Sequence, residues 1–220
     1  GDLFFDFEGD PMWNDGNPDW WGLEYLFGVT EVPEPGAESP FTPFWAHDRA
    51  QEKQALEDFI EFVRVRREKL PDLHIYHYAA YEKSALLRLA AKHATCEAAV
   101  DELLSAGVLV DLYAVVRGAI RVSAPSYSIK KLEPLYMGDD LREGEVTDAA
   151  ASIVEYHAYC QARDSGDAEG AAKLLDEIRD YNRYDCESTR RLRDWLLERA
   201  AEHGVAPRAA EAEETKPSEL

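Results

Sequence analysis

The sequence has almost no cysteine. Its three thiols, Cys96, Cys160 and Cys186, are odd in number and far apart in 220 residues. They form no zinc spacing and no disulfide framework, so they read as reduced, small, buried apolar residues of a cytoplasmic protein. Long apolar runs are also missing. None approaches the ~20 residues of a membrane-spanning helix, so no membrane partner is expected. No signal peptide is visible, and the chain opens almost directly on a strand pattern, which points to a domain cut from a longer protein. There is no internal repeat. Positive charge is scarce: 24 Lys and Arg face 44 Asp and Glu, for a formal net charge of -20. Taken alone, that balance argues against a long groove for a polyanion. It fits either a solvated acidic helical surface or a carboxylate cluster that awaits divalent cations, which would reverse the local sign.

Core-forming residues are plentiful. Hydrophobic residues make up 45% of the chain, with 5 Trp, 11 Tyr and 8 Phe, which suits one domain of generous size. The stretch "LFFDFEGDP" (3 to 11) opens on a strand, followed by a loop rich in Gly, Pro, Asn and Asp (9 to 22). "LEYLFGVTEV" (23 to 32) reads as a strand returning beside the first. "FTPFWAHD" (41 to 48) reads as a third strand, placed at an edge or a bulge by Pro43. Asp48 then caps a helix, with Gln51 three residues on and Leu56, Phe59, Ile60 and Val63 at helical spacing. A short strand (73 to 77), a helix (81 to 93) and another strand (108 to 113) follow. Helical patterns run through 128 to 136, 148 to 162 and about 168 to 203. The tail from Gly204 is rich in Ala, Glu and Pro, which predicts disorder. The expected architecture is therefore one α/β domain over 1–203 and a disordered acidic tail over 204–220. Its mixed sheet is a three-strand antiparallel meander plus parallel strands, flanked by helices, as in ribonuclease H-like folds.

Two carboxylates interrupt the first strand. At period two, Leu3, Phe5 and Phe7 share one face, while Phe4, Asp6 and Glu8 share the other. Phe on both faces marks a buried sheet centre, where paired acids are costly unless a cation or a proton relieves them. The alternative is a solvated pair at the strand end. A third acid stands on the last helix, whose apolar stripe runs Ile178, Tyr181, Asp185, Thr189, Leu192, Leu196. Asp185 is thus on the core-facing side, with Tyr181 one turn before it. Glu82 opens the helix after "IYHYAAY" and reads either as a ligand or as a helix-dipole partner. Asp111 is a further acid at the end of an apolar strand.

Together these motifs resemble those of DEDD-type 3′–5′ exonucleases of the ribonuclease H-like superfamily, in the variant with tyrosine in its last motif. "FFDFEGD" resembles the first motif, "YHYAAYE" the second and "YNRYD" the third. Two positions depart from the pattern: Glu82 stands where Asp is usual, and Tyr78 where Asn is usual. The chain is similar, more narrowly, to the YprB-like domain attached to predicted RecB-family nucleases, often beside a helicase. "GLEYLFG", "FWAHD", "YHYAAYEKSALLRLA" and "YNRYDCEST" carry that likeness, which spans roughly residues 2 to 200.

The resemblance implies a two-metal phosphodiester hydrolysis at single-stranded DNA 3′ ends, with Mg²⁺ or Mn²⁺ as the two ions, and a setting in DNA repair. It implies Asp6, Glu8, Glu82 and Asp185 as ligands and Tyr181 as the residue that orients the attacking water. Arg117, Arg121, Lys130 and Lys131 are candidate phosphate contacts, or ordinary surface charge. Trp13, Trp20 and Trp21 are candidate base-stacking residues, or structural ones. The competing reading is a weakly active or inactive scaffold that docks an attached RecB-family nuclease or helicase.

Overall fold

The computed structural model describes residues 1–141 and 149–205. The tail expected to be disordered lies, from residue 206 on, outside the described residues. Three antiparallel strands come first: β1 (Leu3–Asp10), β2 (Leu23–Glu31) and β3 (Phe41–Trp45). The helix α1 (Arg49–Lys69) leads to β4 (Ile75–His77), which pairs parallel to β1. Helices α2 (Tyr81–His93) and α3 (Glu97–Ser105) precede β5 (Leu109–Asp111), parallel to β4. Then come α4 (Leu112–Ala119), α5 (Ile129–Leu132) with a 3-10 turn (Glu133–Leu135), α6 (Ala149–Ser165) and α7 (Ala168–Glu202). The sheet order is β3-β2-β1-β4-β5, so β1 is central. Pro43 lies in the edge strand β3, opposite Gly28, where its missing N–H costs no ladder bond. Among the described residues no helix is long and apolar enough to cross a membrane.

Asp48 caps α1 by accepting from the Gln51 amide at 2.8 Å. A second bond, from His47 N to Gln51 Oε1 at 3.0 Å, ties the residue before the cap to the same turn. The inward face of α1 then joins Leu3, Phe5 and Phe7 in the main core, together with α2 and α3. Phe5 stacks on Phe59 with ring centres 4.4 Å apart.

The other face of β1 meets α7. That helix has an apolar inner stripe at both ends and a polar one in the middle. Near its start, Ala171 and Ile178 pack with Leu23, Tyr25, Leu26, Tyr156 and Tyr159. Further on, Leu192, Trp195 and Leu196 pack with Leu112, Val116, Leu132 and Tyr76. Each fully buried aliphatic side chain contributes about 1.5–3 kcal/mol, so these two clusters clamp the helix to the sheet. Between them the buried positions are Tyr181, Asn182, Cys186, Ser188 and Thr189, opposite Asp6 and Glu8.

Some expectations differ from the structure. The third strand stops at Trp45, because Asp48 starts a helix. The 108–113 pattern is strand only to Asp111, which then caps α4. The helix expected over 128–136 is a four-residue α5 followed by a 3-10 turn containing Pro134. All three thiols are free, but only Cys186 is buried, while Cys96 and Cys160 are half-buried.

Candidate metal centre

The alternation of β1 sends Asp6 and Glu8 to the α7 side. A register irregularity between Glu8 and Gly9 marks the strand beside them, as bulges do where a side chain is re-aimed. Asp185 arrives from the polar middle of α7. One carboxylate oxygen each from Asp6, Glu8 and Asp185 lie within 4.8 Å of one another. Glu8 is 4% exposed, whereas Asp6 and Asp185 are half-buried.

Burial pushes the Glu8 carboxyl up to about 8, and the nearby Asp185 pushes in the same direction. Ser152 of α6 and Asn182 of α7 hold it down in part, by hydrogen bonding. Apart from burial, the groups acting most strongly on Glu8 are thus acids, a hydroxyl and an amide, with no cation among them. Ser152 is itself held by Tyr25 at 2.7 Å. Asn182 Nδ2 donates to Asp6 Oδ2 at 2.9 Å. Cys186 donates to the Gly28 carbonyl at 3.3 Å, and burial with the neighbouring acids pushes its thiol well up, so it is an inert packing group. Three hard oxygens, one of them a buried carboxyl facing a like charge, fit a hard divalent cation and not a soft one.

Glu82 stands outside this group of three. It is buried in the first turn of α2 and bonds His77 Nδ1 at 3.1 Å. Burial raises its pKa, against the pull of His77. Tyr181 is buried on the inward stripe of α7, with Lys130 Nζ 5.8 Å from its ring centre. The Tyr78 hydroxyl donates to the Tyr127 carbonyl. Asp111 is a structural cap, accepting from Tyr113 N and Ala79 N, both at 2.9 Å. Ala79 has φ 75°, an uncommon conformation for alanine that this bond supports.

The nucleic-acid candidates are dispersed. Arg49 lies 4.5 Å from the Trp13 ring centre and 5.6 Å from that of Trp20. Lys92 lies 5.8 Å from Trp20. These cations converge on Glu52, which is fully buried and also accepts from His93 and from the Glu24 amide, both at 2.8 Å. Trp13 and Trp20 therefore tie the 11–22 loop to α1 and α2. Trp21 remains 56% exposed. Arg121 and Lys131 are exposed and Lys130 half-buried, while Arg117 is held by Tyr113 and Tyr127.

Sequence reasoning missed Asn182, Ser152, His77, the Glu52 knot and Gly28. A glycine inside an otherwise buried apolar strand was the available signal for the last, since it marks close approach of another group. No curated protein and no solved structure matches the chain significantly. A family profile does match, over residues 3–197, nearly the whole described chain. With that match, a five-stranded mixed sheet flanked by helices and an acidic cluster beside its central strand, the chain belongs to the RNase H superfamily.

Proposed function

We propose that this domain is a divalent-cation-dependent nuclease module, a 3′–5′ exonuclease acting on single-stranded DNA ends. The observation that carries the reading is the convergence of Asp6, Glu8 and Asp185 from the two ends of the chain. These three would hold the cation. When bound, Mg²⁺ or Mn²⁺ supplies charge neutralisation at the scissile phosphate and a more acidic water. Glu8 must give up its proton before it can ligate, and its burial keeps competing water away. Asn182 and Ser152 keep the acid side chains in fixed rotamers. Tyr181, one turn before Asp185 on the inward stripe of α7, would orient the attacking water. Glu82 would support a second ion through water, its carboxylate bonded to His77. The strand polarity, the DNA preference and an attached RecB-family nuclease or helicase rest on the motif resemblance.

One observation favours the scaffold reading: Glu82 is bonded to a buried histidine, on a chain whose net charge is -20. A cleavage assay separates the two. The chain is incubated with Mn²⁺ at low salt and with single-stranded DNA labelled at the 5′ or the 3′ end. Stepwise shortening from the 3′ end is expected, abolished in Asp185→Ala and reduced but present in Tyr181→Phe. Loss of activity with added salt is also expected, because so acidic a chain has little long-range attraction for DNA. No cleavage of DNA or RNA, single- or double-stranded, with Mn²⁺ binding demonstrated, would replace the nuclease with the scaffold.

A further inference from the structure

We propose that Asn182 is a positioning residue that orients the Asp6 carboxylate within the three-acid cluster, with Gly28 as its steric counterpart on β2. The inference rests on the reading of Asp6, Glu8 and Asp185 as a divalent-cation site. Asn182 is fully buried. Its Nδ2 lies 2.9 Å from Asp6 Oδ2 and 3.4 Å from the Asp6 carbonyl oxygen. Both are acceptors, so chemistry turns the amide nitrogen toward them and the amide oxygen away. That oxygen, Oδ1, is buried without a hydrogen-bond partner. An orphaned buried carbonyl is destabilising, and an apolar side chain would avoid it. The donor end is what the amide provides that an apolar residue cannot.

The donor holds Asp6 Oδ2 and fixes the carboxylate plane beside Glu8 and Asp185. The same amide lowers the Glu8 pKa against its burial, so one neutral group steadies two of the three acids. Neutrality matters. A lysine or arginine here would compete with the cation, and an aspartate would add a fourth negative charge.

Gly28 makes this placement possible. It pairs with Asp6 across the β1–β2 ladder. A Cβ at position 28 would stand 1.5 Å from Asn182 Oδ1. Any larger residue there must push Asn182 off Asp6. Gly28, Asn182 and Asp6 are therefore one device, drawn from three segments distant in sequence.

The test is a calorimetric Mn²⁺ titration of the full chain, run beside metal-free thermal melts. The variants are Asn182→Ala, Asn182→Ser, Gly28→Ala and the double variant Gly28→Ala/Asn182→Ala. Removing a group that orients a ligand typically weakens metal binding 10–100-fold, so a loss of roughly that size is expected for Asn182→Ala. Gly28→Ala should weaken Mn²⁺ binding similarly and also lower the melting temperature. The double variant should regain melting temperature relative to Gly28→Ala, because the clash is gone, without regaining affinity. A purely structural role would move melting and affinity together. Should Asn182→Ala not fold, Asn182→Ser makes the same comparison. Parent-like Mn²⁺ affinity in a folded Asn182 variant overturns the inference alone. Failure of the parent chain to bind Mn²⁺ overturns the cation site, and the inference with it.

Discussion

Glu8 is a carboxyl buried at a sheet centre with another acid as its neighbour. Its raised pKa means that the folded chain prefers the protonated form. The stabilising contribution of that proton is present below the ordinary value of 4.5 and is lost as pH rises to about 8. The metal-free protein should therefore lose melting temperature between about pH 5 and 8, and Glu8→Gln should flatten part of that slope. Glu24 and Glu82, also raised by burial, contribute with the same sign and remain in the variant. A slope unchanged by Glu8→Gln would remove Glu8 as its source. The facing of Asp6 and Glu8 was legible in the sequence, because a strand alternates strictly. Asn182 was not, although it sits inside "YNRYD". Its role depends on a void left by Gly28 on another strand, which no local pattern encodes.

Elements were legible where one period governed them. The helix over 81 to 93 has the bounds its pattern predicts, and the inward stripe of α7 carries Asp185 as its spacing requires. The segment "VLVDLY" misled because its apolar run crosses a boundary set by a single hydrogen bond, from Tyr113 N to Asp111. The helix α3 escaped notice in the stretch between two better-marked elements. His77 ends a three-residue strand, and its partner Glu82 becomes apparent only once α2 folds over the sheet. Asp111 gives a direct test at this scale. Asp111→Ala should cost about 1–2 kcal/mol, the upper range for a lost N-cap, because Ala79 also loses its support. Asp111→Asn, which keeps an acceptor, should cost distinctly less. Urea unfolding midpoints measure both, and equal midpoints for Asp111→Ala and the parent would show that the cap contributes nothing.

For the molecule as a whole, the acidic balance and the three-acid cluster meet in one measurement. A cation that binds only the folded state adds about 2.7 kcal/mol at a hundredfold excess over its Kd. For a chain of this size that is a rise of roughly 5–10 °C in melting temperature. Mn²⁺ at millimolar concentration should produce it, and Asp6→Asn should abolish it. Identical melting with and without Mn²⁺ in the parent would count against a cation site of useful affinity.

The polar middle of α7 also sets a schedule. Two of the three clustered acids are made with β1, and the third only with the middle of α7, about 180 residues later. During synthesis the growing chain carries Asp6 and Glu8 without Asp185, without Asn182 and without the two apolar clusters that seat α7. A nascent or truncated polypeptide ending before Ala168 therefore has no assembled centre, however much of its sheet has formed. The grouping of the three acids is completed in one step, when α7 closes over the central strand.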